Sequence, residues 1–215
     1  MDAANFNKRV RLSLFFPLLF TFVMWMVKVS EWLFDFSLSS WGVLPRSFEH
    51  IYGILFSPFI HSDWKHLWAN TIPFFVLSWA LFFFYRTIAA KTFLLIYFLS
   101  GILLWCIGRD SFHIGMSSII YGLAFFLITS GLIKKNYQLT ALALVVVFLY
   151  GSLFWGLFPI ESQISWEGHL SGASIGFILA ILFRKQGSPP PQILSEDDDT
   201  IPEEIWNAEN NYTEV

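Results

Sequence analysis

The sequence predicts an all-α membrane protein, a bundle of six spanning helices with a long interfacial loop between the first two. Three observations predict it. Hydrophobic residues make up 55% of the 215 positions and aromatic residues 20%, while charged residues make up only 13%. A soluble core of this chain length would not bury 25 Phe and 10 Trp among so few charges. Six apolar runs follow one another, and five of them are closed by Lys or Arg within two residues. The basic residues also fall unevenly on the two sides that six spans create.

The chain opens with a polar, basic stretch, residues 1–11, containing Lys8, Arg9 and Arg11. A first apolar run covers 12–27. No small-x-small cleavage site follows it, so it reads as an uncleaved spanning helix that tolerates Pro17. Residues 28–63 mix Trp, Phe and Tyr with charges and hold no run long enough to span. Aromatic residues among charges suit the membrane interface. The remaining spans are expected at 66–85, 92–107, Ser117–Ile133, 139–155 and 169–183, all within one membrane domain, 12–185. Several are short for a bilayer core of about 30 Å, which implies local thinning of the bilayer or helix ends submerged below the headgroups. The last stretch, 186–215, carries a proline linker and the acid block Glu196-Asp197-Asp198-Asp199. It is expected to be a solvated, disordered cytoplasmic tail.

With six spans both termini lie on one side. That side collects Lys8, Arg9, Arg11, Arg86, Lys91, Lys134, Lys135, Arg184 and Lys185. The other side has Lys28, Arg46, Lys65 and Arg109. The excess places both termini in the cytoplasm, as for a multi-pass protein of a bacterial inner membrane. The net charge of -3 comes largely from the tail, and no basic stripe suggests a nucleic acid partner. The single cysteine, Cys106, supports no internal disulfide and no thiolate metal site, and reads as a small apolar filler. There is no HExxH, no P-loop and no intramembrane pair of Asp, so metalloprotease, aspartyl protease and ATPase readings have no support; no metal or other cofactor is expected.

Three helix mouths carry hydrogen-bonding groups, and the topology puts all three on the outer side. They are His66-Leu67-Trp68-Ala69-Asn70, Gly115-Met116-Ser117-Ser118 and Gly168-His169-Leu170-Ser171-Gly172. Residues four apart share a helix face, so His66 points with Asn70, and Ser117 with Tyr121. Gly168, Gly172 and Gly176 recur every four residues, as small residues do where membrane helices approach closely. Such an approach can bring a serine hydroxyl to an imidazole. Together these groups make a nucleophile, a base and a set of oxyanion donors. His50 and His113 read as loop residues.

The pattern His66-x-x-x-Asn70, Gly115-x-Ser117 with Tyr121, and His169-x-x-Gly172-x-x-x-Gly176 resembles the rhomboid family of intramembrane serine proteases. The resemblance covers about residues 10–185 and also fits the long first loop. It implies Ser117 as nucleophile and His169 as general base, with no third acid. It implies an oxyanion site made by the Ser117 N–H and the side chains of His66 and Asn70, with Tyr121 packed on the His169 ring. His61 matches a histidine often found near the family's outer cavity. Two departures stand out. The family usually has glycine after the nucleophile, where this chain has Ser118. The common Trp-Arg pair of the first loop is also absent near Tyr52-Gly53. The expected substrates are membrane proteins in the lipid bilayer, cut near its outer face where a helix-breaking segment unwinds. The alternative is a non-catalytic rhomboid-like protein that binds membrane helices; such members typically lose the serine or the histidine, and this chain keeps both.

Overall fold

A computed structural model describes residues 3–161 and 163–187. Among them are six apolar helices and one short helix: α1 (Ala3–Leu33), α2 (Gly53–Phe56), α3 (Trp64–Phe84), α4 (Ala89–Ile107), α5 (Ser117–Ile133), α6 (Tyr137–Tyr150) and α7 (Trp166–Leu182). A 3-10 segment, Gly151–Leu157, continues α6. No strand occurs among the described residues; Val43 and His113 form one isolated antiparallel bridge. The protein is thus an all-α membrane bundle. The acidic part of the tail lies outside the described residues.

Among the described residues four segments are long and apolar enough to cross a bilayer: Asn5–Leu33, Trp64–Phe84, Ala89–Ile107 and Tyr137–Leu157. The other two, α5 and α7, have 17 residues each. At 1.5 Å per residue each is about 25 Å long, short of the hydrocarbon thickness of about 30 Å. These two short helices carry Ser117 and His169 in their first turns.

The helices run alternately up and down. Lys28, near the end of α1, donates to the carbonyls of His61 and Ser62 just before α3, at 2.9 and 3.0 Å. At the other end Arg9 donates to Phe83 O in the last turn of α3 at 2.6 Å. The α5 C-cap, Lys134, donates to Phe183 O beyond α7 at 2.8 Å. Residues near both ends of the described chain therefore gather at one end of the bundle, and the N-termini of α3, α5 and α7 gather at the other.

Helix α5 is central. Ile119, Leu123, Phe126 and Leu127 are fully buried in it, against Leu67, Phe74, Leu77 and Leu81 of α3. α7 lies along another face of α5 at backbone contact. A Cβ added to Gly172 would stand 1.8 Å from Ser118 O, and one on Gly176 would stand 2.1 Å from Gly122 O. Only hydrogen fits there, which is the physical content of the four-residue glycine spacing.

The first helix is longer than its apolar run, starting at Ala3 and ending at Leu33. The expected loop residues 28–33 are helical because their charges have internal partners. Glu31 is 5% exposed, accepts from Leu38 N at 2.7 Å and pairs with Lys28 at 3.3 Å. The last helix likewise starts at Trp166, three residues before His169, with Ser165 as its cap. Cys106 is exposed on α4 rather than filling the core.

Candidate active site

Ser117 is the first residue of α5. The turn before it is fixed from several sides. Gly115 has φ +106°, a conformation that favours glycine, and its N–H donates to Ser57 O at 2.9 Å. Met116 is fully buried. His113 pairs with Val43 through both backbone groups at 2.9 Å. Its ring bridges two elements, with Nδ1 2.6 Å from Ser165 Oγ and Nε2 3.1 Å from Arg109 O. A carbonyl only accepts, so Nε2 carries the proton and Ser165 donates to Nδ1. Ser165 Oγ also accepts from Gly168 N at 3.3 Å. One serine thus links the loop before Ser117 to the helix that carries His169. Burial, first of all, holds the His113 imidazole below its ordinary range, so it stays uncharged near neutrality.

His169 sits in the first turn of α7 and is 8% exposed. The Tyr121 ring stacks on its imidazole, with centroids 4.1 Å apart and planes 6° apart. His169 Nδ1 lies 2.8 Å from Gly156 O. That carbonyl can only accept, so Nδ1 carries the proton and Nε2 is left unprotonated in the neutral ring. The stack and the bond together fix the ring's plane, rotation and tautomer. Gly156 approaches so closely that a Cβ there would stand 2.0 Å from the Tyr121 hydroxyl oxygen.

On α3, Asp63 caps the helix by accepting from His66 N at 2.8 Å. One turn on, Asn70 Nδ2 donates to His66 O at 2.8 Å, leaving its second amide hydrogen without a partner among the described residues. Asn70 Oδ1 is buried with no partner among the described residues, a polar atom that costs stability unless something else uses the site. A Cβ on Gly115 would lie 2.8 Å from His66 Nε2, so that edge of the ring faces the nucleophile turn.

His66, Asn70, Ser117, Tyr121 and His169 all line one cavity of about 840 Å³, with Arg109 and His113 also in its wall. Ser117 and His169 share this wall but make no direct hydrogen bond among the described residues. Catalytic hydrogen bonds often tighten only when substrate is bound. His61 is behind His66 instead. It is 1% exposed, with ring centroids 5.0 Å apart, and burial first of all pushes its imidazole down to about 3. Ser118 presents its carbonyl to Gly172, and the residue also lines a narrow cleft with Ser57, Leu104 and Gly168. Among the described residues no group of His, Cys, Asp and Glu is arranged to hold a metal ion.

Fold and site define a multi-pass helical membrane protein with a serine and histidine cavity at the mouths of three parallel helices. The sequence matches the family model of the Rhomboid domain over residues 49–186, and the chain belongs to the rhomboid family. It is similar to an uncharacterized protein of Mycobacterium tuberculosis (strain ATCC 25618 / H37Rv), 33% identical over 175 residues, covering 77% of this chain and 72% of that one. An uncharacterized protein of Mycobacterium leprae is 32% identical over 190 residues, covering 82% and 74%. A protein of Acanthamoeba polyphaga mimivirus, whose name proposes it as a rhomboid protein, is 30% identical over 140 residues, covering 63% and 77%.

Proposed function

We propose that this rhomboid is an active intramembrane serine endopeptidase that cuts transmembrane segments near the outer face. The observation that carries this reading is the His169 ring. It is stacked on Tyr121 and bonded through Nδ1 to Gly156, so its basic Nε2 is the free nitrogen in a cavity that also holds Ser117. Such a ring is held as a general base for a serine nucleophile.

The steps follow from these atoms. Ser117 Oγ attacks the scissile carbonyl carbon as its proton passes to His169 Nε2. The carbonyl oxygen becomes an oxyanion facing the Ser117 N–H, which as a first-turn group has no partner within the helix. The free Asn70 amide hydrogen and the His66 ring complete the set of donors. His169 then gives its proton to the leaving amine, and the acyl-enzyme forms on Ser117. Water, deprotonated by His169, hydrolyses that ester. The short helices α5 and α7 hold these groups below the outer surface, so substrate must unwind to reach them, and helix-breaking residues lower that cost. The basic-residue asymmetry supports cytoplasmic termini in a bacterial inner membrane.

The test is cleavage of a single-span substrate with a Gly-rich or Pro-containing segment by the purified chain in bicelles. Asn70→Ala removes one oxyanion donor and should lower kcat by roughly 10²–10³ while the thermal transition stays in place. Equal rates for wild type and Asn70→Ala would remove Asn70 from the site. A well-folded wild type that binds such substrates but cuts none of them favours the non-catalytic, helix-binding reading.

A further inference from the structure

The ring of His66 is tied to the chain just ahead of its helix. Ser62 Oγ donates to Asp63 Oδ2 at 2.7 Å and lies 3.2 Å from His66 Nδ1. The other carboxylate oxygen of Asp63 takes the His66 backbone N–H at 2.8 Å. That N–H, first of all, and then the Ser62 hydroxyl hold the Asp63 carboxyl below the usual range, so near neutrality it only accepts. A serine hydroxyl has a single proton. With that proton on Asp63, Ser62 offers His66 only lone pairs, and Nδ1 must supply the hydrogen between them. The opposite nitrogen, Nε2, faces Gly115 and the nucleophile turn.

We propose that Asp63 and Ser62 form a proton-orienting relay that holds neutral His66 as its Nδ1–H tautomer, so that Nε2 donates to an oxyanion only after the ring takes up a second proton. This rests on the reading of His66 as an oxyanion donor. The second proton comes from solvent, and no other bond changes. As the tetrahedral intermediate collapses, the imidazolium can return that proton to solvent. Ser62 and Asp63 act through His66 and are positioning residues.

The relay has a consequence for pH. The groups facing His66 are Asp63 at its own helix cap, Lys28 from α1, His61 from the preceding loop and His169 from α7. His61 is uncharged over the working range, and Lys28 has a fixed partner in Glu31. His169 must be neutral to act as base, whereas His66 must be protonated to donate. Turnover should therefore fall at acid pH as His169 gains a proton and fall at alkaline pH as His66 loses one. Because the two rings repel when both are charged, the apparent values belong to the pair.

Asp63→Asn separates the relay from the cap. Asparagine caps helices about as well as aspartate, and its Oδ1 can still accept His66 N. Its amide now donates to Ser62 Oγ, the Ser62 proton turns to His66 Nδ1, and the neutral ring carries its hydrogen on Nε2. The experiment uses the full chain with ¹⁵N-labelled histidine in bicelles, with the His66 signals assigned by their loss in His66→Gln. At alkaline pH the wild type should show its ring proton on Nδ1, and Asp63→Asn should show it on Nε2. In the cleavage assay the alkaline limb of kcat should move up by at least one pH unit or vanish in Asp63→Asn. Ser62→Ala, which deletes the relay and leaves the cap, should lose the same limb and serves if Asp63→Asn fails to fold. A wild-type ring already protonated on Nε2, or an alkaline limb unchanged in both variants, overturns the relay. The tautomer is read without substrate. A relay seen as described in a protein that cleaves nothing would count against the protease reading alone.

Discussion

Ser117→Ala should abolish proteolysis, and His169→Ala should do so to the same extent. In a nucleophile–base unit the loss of either member costs nearly as much as the loss of both, on the order of 10⁶ in kcat. The structure adds a reason for equal loss here. Among the described residues His169 Nδ1 is bonded to Gly156 O and the ring stacks on Tyr121, so Nε2 is the nitrogen left to take the serine proton. The double variant should therefore be no worse than either single one. Since both side chains sit at helix mouths beside a cavity, both variants should fold and melt near wild type. Measured turnover of a single-span substrate, with residual rates compared across the three variants, checks this; a Ser117→Ala enzyme that keeps one tenth of wild-type activity would contradict it.

The second large effect falls on packing. Gly172→Val should unfold the bundle or leave it inactive. A Cβ at this position would stand 1.8 Å from a backbone oxygen, Ser118 O, which cannot swing away as a side chain could. Overpacking typically costs about 1–3 kcal/mol, and a branched side chain against backbone belongs at or above the top of that range. Even if α7 moves out to make room, His169 moves with it, and a misplacement of about 1 Å can cost 10²-fold in rate. Gly151→Ala is the control, because the nearest atom to its added Cβ would be Val147 Cγ1 at 4.0 Å. Unfolding followed in detergent should show Gly172→Val much less stable than wild type and Gly151→Ala close to it. Equal stability of the two variants would mean that α5 and α7 are not in backbone contact.

Much of this architecture was legible in the sequence. Apolar runs mark spanning helices because lipid leaves the backbone no partner but itself. The spacings His66 to Asn70, Ser117 to Tyr121 and Gly172 to Gly176 are helix-face spacings, and the structure places each pair on one face of its helix. The misses have physical causes. Lys28 and Glu31 look like the start of a loop, yet they neutralise each other and extend α1, because pairing across elements leaves no trace in local composition. The partner of His169 is the carbonyl of Gly156, a group every residue possesses, so no residue type could signal it. His113 reads as a loop histidine and is one, but its ring joins Ser165 to Arg109 O and so ties the nucleophile turn to α7. Ser118, the departure from the family's glycine, meets Gly172 of α7 through its carbonyl oxygen, a group that any residue at this position would carry. Where the Trp-Arg pair is missing, aromatic rings pack the loop around Tyr52. The Tyr52 and Phe56 rings pack on Trp41, while Tyr97 donates to Leu55 O and pins the short helix α2 to α4.

The most direct measurement is the mass-spectrometric mapping of a fluorophosphonate adduct on the full chain in bicelles. A phosphonylating reagent reacts with a serine whose hydroxyl is activated by an adjacent base, so it reports the nucleophile without needing the natural substrate. One adduct is expected, on Ser117, formed by wild type and by Ser118→Gly, and absent in Ser117→Ala and His169→Ala. An adduct on Ser118, or no adduct on a folded wild-type protein that retains the Tyr121–His169 stack, would contradict it.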